Sequence, residues 1–281
     1  MEWNGDAYIV GGVESMTFIP MGGLSPRPNT RFWSEYPQAF VTMIETAINV
    51  AKMYNISRED QDKFALESHR KAVRAWDNGE FKREVVPIEV IDAEGNFHRI
   101  AEKDDGPRPD TSLEKLASLP PVFDPNGTVT AGNSSPLNDG ASVILLMEKE
   151  KAISLGLKPR ARIVSIAAAG VPPEIMGIGP IPATRKALKR AGMTLDDIDA
   201  IELNEAFASQ SLAVIRELGM DMEKVNMRGG AIALGHPLGE SGTRIITTLL
   251  HIMEDKDLTL GLATMCCGGG QGVTTIIERL N

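Results

Sequence analysis

The chain opens on a short apolar run, Ala7-Tyr8-Ile9-Val10-Gly11-Gly12, that reads as a strand buried on both faces. A parallel strand of that kind needs neighbours supplied by the chain. No helix or strand pattern precedes it, so the sequence is expected to start in the middle of a domain. From about Thr17 to Asp124 the texture changes. A stretch rich in proline and glycine (Pro20, Gly22, Gly23, Pro26, Pro28) gives way to helical patterning. Ser57 and Asp60 are spaced as in a capping box, and Phe64, Ala65, Ser68, Ala72 and Trp76 recur at helical intervals behind them. The polar segment from Glu102 to Pro109 then interrupts, and the region as a whole reads as an irregular helical insertion.

Strand–helix alternation resumes after Asn126. The pattern predicts a strand over Ser142 to Met147, a short helix over Glu148 to Leu155 and a strand over Arg162 to Ala169. A basic helix, Ala183 to Ala191, follows, opened by Pro182 and closed by Gly192. Next come a strand over Asp199 to Leu203, a helix running to about Leu218, a glycine-rich loop from Gly229 to Gly242 and a helix over Thr243 to Glu254. Two last strands, Thr259 to Met265 and Val273 to Glu278, are joined by a short glycine-rich turn and are expected to pair antiparallel. Such alternation specifies an α/β layered domain.

Composition narrows the function classes. A length of 281 residues with 42% hydrophobic and 24% charged residues suits one large or two ordinary globular domains. The net charge of −9 argues against nucleic acid or an anionic membrane as the main partner, while leaving room for a local basic patch that takes a phosphorylated ligand. No apolar run approaches the ~20 residues of a membrane span, and the first residues lack the pattern of an export signal. The two cysteines, Cys266 and Cys267, are neighbours and cannot staple a fold, so a reducing, cytoplasmic setting is expected.

Three stretches carry candidate chemistry. In Gly229 to Gly242, five glycines surround His236, with neither the Walker nor the dinucleotide spacing. His236 is either a functional imidazole or a loop histidine that caps a turn. In Cys266-Cys267-Gly268-Gly269-Gly270, a thiol at a strand end precedes backbone N–H groups able to hold an oxyanion, or else a small buried hydrophobe precedes a plain turn. Asn204-Glu205-Ala206-Phe207 follows a strand directly, and its simplest reading is an N-cap with an acidic first turn. His69 and His98 lie among charges, His251 sits in a helix, and all three read as non-catalytic. The cluster Arg185, Lys186, Lys189 and Arg190 reads as a solvated helix face. Adjacent cysteines and only four histidines make a metal site a poor fit.

Taken in order, these pieces resemble the thiolase family. The resemblance rests on Asn204-Glu205-Ala206-Phe207-Ala208, on Gly235-His236-Pro237-Leu238-Gly239 and on Cys266 before its glycine turn. It extends to Gly11 to Met16, to Gly127 to Ser135 with Leu137 to Gly140, and to Met176 to Ala183. Bacterial β-oxidation thiolases and acetyl-CoA acetyltransferases are the nearest types. The resemblance implies a thiolase-like fold of helices and mixed sheets with an incomplete N-terminal half. Residues 1–16 and 125–157 would be a remnant of that half, 17–124 a loop domain, and 158–281 the C-terminal half.

It also implies covalent acyl transfer from a 3-ketoacyl-CoA to CoA, or the reverse condensation. CoA is then a substrate, CoA thioesters are the partners, no cofactor is permanently bound, and the full-length form is a homo-oligomer. His236 corresponds to the histidine that activates the nucleophile and binds the thioester oxygen. Asn204 corresponds to the residue that holds a water there, Cys266 to the acid/base cysteine and Gly268 to the second oxyanion donor. Ser135 would line the pantetheine tunnel, and Met176 and Phe207 the acyl end. The family's nucleophilic cysteine lies upstream of the first strand, so this chain is expected to lack it and to be inactive alone. Ile44, Ile48 and Glu240 depart from the usual Gly, Glu and small residue. Glu240, close to His236, is expected to raise its pKa or to repel substrate phosphate. A non-catalytic acyl-CoA-binding or scaffold protein of thiolase shape, and a hydrolase built on Cys266 and Cys267, are the alternatives.

Overall fold

Two sheets face each other across a single helix. The computed structural model describes residues 5–280. Strand β1 (Ala7–Ser15) is followed by α1 (Thr30–Glu35), α2 (Met43–Met53), α3 (Arg58–Asp77), a small hairpin of β2 (Ile88–Ile91) and β3 (Phe97–Ala101), α4 (Leu113–Ala117) and β4 (Asp139–Met147). The chain then runs through α5 (Lys149–Ser154), β5 (Ala161–Gly170), α6 (Pro180–Ala191), β6 (Ala200–Leu203), α7 (Ala208–Leu218), α8 (Ala231–Leu234), α9 (Ser241–Asp255), β7 (Leu260–Cys267) and β8 (Gln271–Arg279).

The larger sheet has the order β5-β8-β7-β6. β6 and β7 run parallel, and β8 is antiparallel to both of its neighbours. β1 and β4 form a separate antiparallel ribbon, in register from Ala7 opposite Met147 to Ser15 opposite Asp139. Helix α9 packs against β6 and β7 on one side and against β1 and β4 on the other. Its apolar positions explain the placement. Ile245, Leu249, Ile252 and Met253 recur at helical spacing and are buried with Ala200, Ala263 and Ile277 of the larger sheet. Gly261 on β7 lets Leu249 and Met253 approach, because a Cβ there would press on both side chains.

Most predicted elements are present, with boundaries moved by one to three residues. Helix α6 starts at Pro180 rather than Ala183, and Gly192 closes it at φ 67 in the left-handed region that favours glycine. Ser57 caps α3 by accepting from the Asp60 N–H at 3.0 Å. β7 extends through both cysteines, so the turn is only Gly268 to Gly270.

The first strand is a correction. It pairs antiparallel, not parallel, and Ile9 and Val13 are 81% and 74% exposed rather than buried. One face of the ribbon rests on α9, while Ile9, Val13, Val143 and Leu145 line the other, uncovered face. The insertion also holds the β2–β3 hairpin, which the helical reading did not foresee. Among the described residues no helix is long and apolar enough to cross a membrane.

Leu249 is fully buried between the larger sheet and the rest of α9. Leu249→Ala is expected to lower the unfolding free energy by about 2–5 kcal/mol, the range for deleting a buried leucine side chain. Chemical denaturation checks this, and an unchanged midpoint would mean that α9 is not the packed central layer.

Candidate active site

The parallel pair β6–β7 brings two of the singled-out residues to one end of the sheet. Leu203 lies opposite Thr264, and the Asn204 N–H continues the ladder by donating to the Thr264 carbonyl at 3.0 Å. Asn204 therefore sits just past β6, and Cys266 lies on β7 two residues beyond Thr264, opposite Gly272 and one residue before the strand ends. The N-cap reading of Asn204 does not hold, because α7 begins only at Ala208 with Phe207 before it. The Asn204 side chain is completely buried, yet neither its Nδ2 nor its Oδ1 has a hydrogen-bond partner. Leaving a buried polar group unpaired costs roughly 1–3 kcal/mol. An amide kept in that condition is suited to holding a water or a ligand oxygen.

Cys266 is buried in an apolar cluster with Met176, Phe207, Ala206, Ile48 and Val129, with Ile44 and Met43 packed against its edge. Burial, and then the neighbouring Cys267, pushes the Cys266 thiol up to about 12, so at neutral pH it carries its proton. Burial raises the half-buried Cys267 as well. Ser135 is fixed beside this cluster, its N–H donating to the Ala206 carbonyl at 3.0 Å. Gly268 lies on the open side of the turn, where a Cβ would meet nothing within 4 Å. The structure thus brings Met176, Phe207 and Cys266 into one cluster, with Ser135, Asn204 and Gly268 around it.

His236 is placed by the loop between α8 and α9. The short helix α8, which the sequence pattern missed, ends at Gly235 with φ 101. A Cβ at Gly235 would run into Asn138, whose Oδ1 accepts from the His236 N–H at 3.0 Å. Glu14 of β1 accepts from the Gly239 N–H at 3.1 Å, so the β1–β4 ribbon grips the histidine loop at both ends. Gly242, in the first turn of α9, faces Met265, the residue before Cys266.

The imidazole has one definite tautomer. The Ser241 hydroxyl donates to the Pro237 carbonyl at 2.8 Å, so its oxygen must accept from His236 Nδ1–H, 2.7 Å away. Nε2 is left as a free acceptor, ready to take a proton. Burial, and then the Arg244 guanidinium, pushes the His236 pKa down to about 4. This corrects the expectation for Glu240. That residue is itself buried and has a raised pKa through desolvation, and it does not raise the pKa of His236.

Two further features escaped the sequence. His69 is only 6% exposed, its Nδ1 accepts from the Arg108 N–H at 3.2 Å, and burial followed by the Arg108 charge lowers its pKa to about 4. Its spacing of four and three residues from Ala65 and Ala72 on α3 was the available signal. Beside it lies a cavity of about 490 Å³ lined by His69, Arg70, Arg74, Arg108 and Thr111, among others. Arg70 pairs with Glu67, and Arg74 donates to the Met227 carbonyl. Among the described residues the Arg108 guanidinium makes no hydrogen bond or ion pair. The loop carrying Arg108 starts at Gly106, which packs on the Ala233 carbonyl of α8.

The family description "Thiolase, N-terminal domain" matches residues 2–150, and "Thiolase, C-terminal domain" matches residues 157–279. The chain belongs to the thiolase family. It is 56% identical over 280 residues to a 3-ketoacyl-CoA thiolase of Shewanella loihica and 51% identical over 280 residues to one of Bacillus subtilis. It covers 98% and 97% of its own length in those matches and 72% of each relative. Among solved structures, a Bacillus anthracis acetyl-CoA acetyltransferase matches at TM-score 0.88 and 43% identity, over 98% of this chain and 72% of the other. Human mitochondrial 3-ketoacyl-CoA thiolase in complex with CoA matches at TM-score 0.88 and 40% identity, over 99% and 72%. This thiolase is accordingly an acyltransferase with the family's layered α/β fold.

Two outcomes are expected at this thiolase's site. Ser241→Ala removes the acceptor for Nδ1–H, and nitrogen NMR of labelled histidine should show His236 losing its single tautomer; an unchanged spectrum would refute the lock. The second concerns pH. His236 and His69 have folded pKa values of about 4 against an ordinary 6.5, so the unfolded chain binds more protons between those values. The stability they contribute is complete above pH 6.5 and is lost as pH falls toward 4. His69→Gln should flatten part of that acid decline in melting temperature.

Proposed function

We propose that this thiolase moves an acyl group between CoA thiols, cleaving a 3-ketoacyl-CoA with CoA into acyl-CoA and acetyl-CoA or running the reverse condensation. The observation that carries the reading is the unpartnered, fully buried amide of Asn204 at the strand end that also bears a protonated Cys266. In the cleavage direction a thiolate attacks the 3-keto carbon and the C2–C3 bond breaks. The electron pair stays on C2 of the departing acetyl-CoA as an enolate. Cys266 donates its proton to that carbon, which is what a thiol held protonated at neutral pH can do. The thiol of an incoming CoA then attacks the acyl carbon, its proton passes to the Cys266 thiolate, and the thiolate that had carried the acyl group leaves.

His236 Nε2, free to accept, serves as the base for a thiol and then as an N–H donor to the thioester oxygen. Asn204 holds a water in the same oxyanion site, and Gly268 offers its N–H to the second. Removing one such donor typically costs a factor of about 10²–10³ in turnover. Met176 and Phe207 flank the acyl group and Ser135 the pantetheine arm. The basic cavity at Arg108 fits the phosphates of CoA, which enters as a substrate. In this reading the chain divides into residues 1–16 with 125–157, 17–124 and 158–281, a division supported by the β1–β4 pairing and the separate larger sheet.

Both thiols in this sequence are raised above their ordinary pKa, so the attacking thiolate is assigned to neither. The same fact favours a second reading, in which the 281-residue polypeptide binds CoA thioesters without turning them over. Calorimetric titration with CoA and a thiolysis assay test both. CoA should bind, and Arg108→Ala should weaken it by about tenfold, the equivalent of ~1.4 kcal/mol for one charge-assisted contact. Absence of binding would end both readings. Thiolysis by the polypeptide alone that vanishes in Cys267→Ala would make Cys267 the nucleophile and overturn the assignment.

A further inference from the structure

Asn204 faces the site, and the next residue does not. Glu205 is 2% exposed and lies among α3, α8 and the turn before α8. It is not an acidic residue in a first helical turn, because α7 starts three residues later. Its carboxylate receives three donors. The Ser68 hydroxyl donates to Oε2 at 2.6 Å, the Asn226 amide donates to Oε1 at 2.7 Å, and the Ile232 N–H of α8 donates to Oε2 at 3.2 Å. Burial raises the pKa of this carboxyl above its ordinary value, and the three donors and the Lys71 charge work in the opposite direction without cancelling it.

Each donor is itself tied to the backbone that leads to His236. Ser68 Oγ accepts from the Gly230 N–H at 3.1 Å. A Cβ at Gly230 would collide with the Glu205 carboxylate, so only glycine lets α8 start there. Asn226, at φ 47, clasps Leu203 through both ends of its amide, at 2.8 and 2.9 Å, and so fixes the turn before α8 to the last residue of β6. Four residues after Ile232 the chain reaches His236.

We propose that Glu205 is a positioning residue that sets the imidazole of His236 by anchoring the first turn of α8 to β6 and α3. The inference rests on the reading of His236 as the base of the site. Glu205 is not among the charges that shift His236, so its action runs through the backbone and not through a direct field. Ser68 and Asn226 are the other two members of the clasp. Glu205→Gln keeps the size but turns one acceptor into a donor that must face another donor. Helix α8 then loses its anchor, Gly235 and His236 shift outward, and the imidazole gains water.

The test is an NMR titration of the histidine-labelled 281-residue chain, with His236 assigned by the resonance lost in His236→Gln. In Glu205→Gln the His236 pKa should rise from about 4 toward the ordinary 6.5, and the Nδ1–H tautomer should no longer be the only one. Ser68→Ala, a smaller change that removes the link to Gly230, should move His236 in the same direction by a smaller amount. It carries the test if Glu205→Gln does not fold. A folded variant with a lower melting temperature but an unchanged His236 titration would make Glu205 purely structural. A fall in the His236 pKa would replace the backbone route with an electrostatic one. Neither readout needs turnover. A confirmed shift in a protein that never cleaves thioesters would therefore leave the positioning intact while removing its catalytic purpose.

Discussion

The site exists because α9 is packed on both faces. Its buried stripe of Ile245, Leu249, Ile252 and Met253 locks it onto the larger sheet, and its other side lies on the β1–β4 ribbon. Burial of each such side chain contributes about 1.5–3 kcal/mol, so the helix axis is strongly determined. The N-terminal end of α9 supplies Ser241, which sets the His236 tautomer, and Gly242, which faces Met265 beside Cys266. A shift of α9 along its axis would move the imidazole relative to both sheets at once. Precision at the site is thus inherited from apolar packing several turns away.

Burial also decides which ionisation states the site presents. His236 is held neutral and Cys266 is held protonated by the same desolvation, and Asn204 has no charge to lose. Two largely buried arginines of the surrounding core pair with carboxylates outside the cysteine cluster. Arg228, almost completely buried, meets Glu80 at 3.1 Å and also pairs with Asp255, joining the end of α3 to the end of α9. Arg244 meets Glu202 of β6 at 3.4 Å, and desolvation still raises that carboxyl to about 8. A buried pair of this kind adds little net stability, since desolvation offsets much of the attraction. Its consequence at the site is directional, because the Arg244 charge also opposes protonation of His236.

Pattern made much of the C-terminal half legible, because α6 and α9 each bury one face and β6 is a continuous buried run. The antiparallel turn at Gly268 to Gly270, the α3 cap at Ser57 and the helix end at Gly192 were all readable from local rules. Other features depend on contacts far apart in sequence. The apolar run at Ala7 to Gly12 looks buried because pattern alone does not say how many faces are covered. Helix α8 spans one turn, too short to register as a period, and the glycines around it reflect close approaches to Glu205 and Asn138. Asn204 looked like a cap because its local context matches one; its unpartnered amide is a fact of tertiary burial. His69 was hidden by the charges flanking it on α3, although its spacing marked the buried face.

The two antiparallel pairs that flank α9 explain how one end of a helix can gather so many groups. β7 and β8 are joined by three glycines, whereas β1 and β4 are joined by the long segment from residue 16 to 138. Loop-closure entropy rises only slowly with length, so the second pair tolerates its insertion as long as the strand register holds, and it holds from Ala7 to Ser15. Both connections open at the N-terminal end of α9. From one come Cys266 and Gly268; from the other come Glu14 and Asn138, which hold the backbone of the histidine loop. The insertion therefore leaves and re-enters the ribbon beside the histidine loop. Arg108 within it borders a cavity shared with the His69 end of α3. Reshaping that insertion near Arg108 would alter the cavity's walls while leaving the Asn138 and Glu14 grip on the histidine loop unchanged.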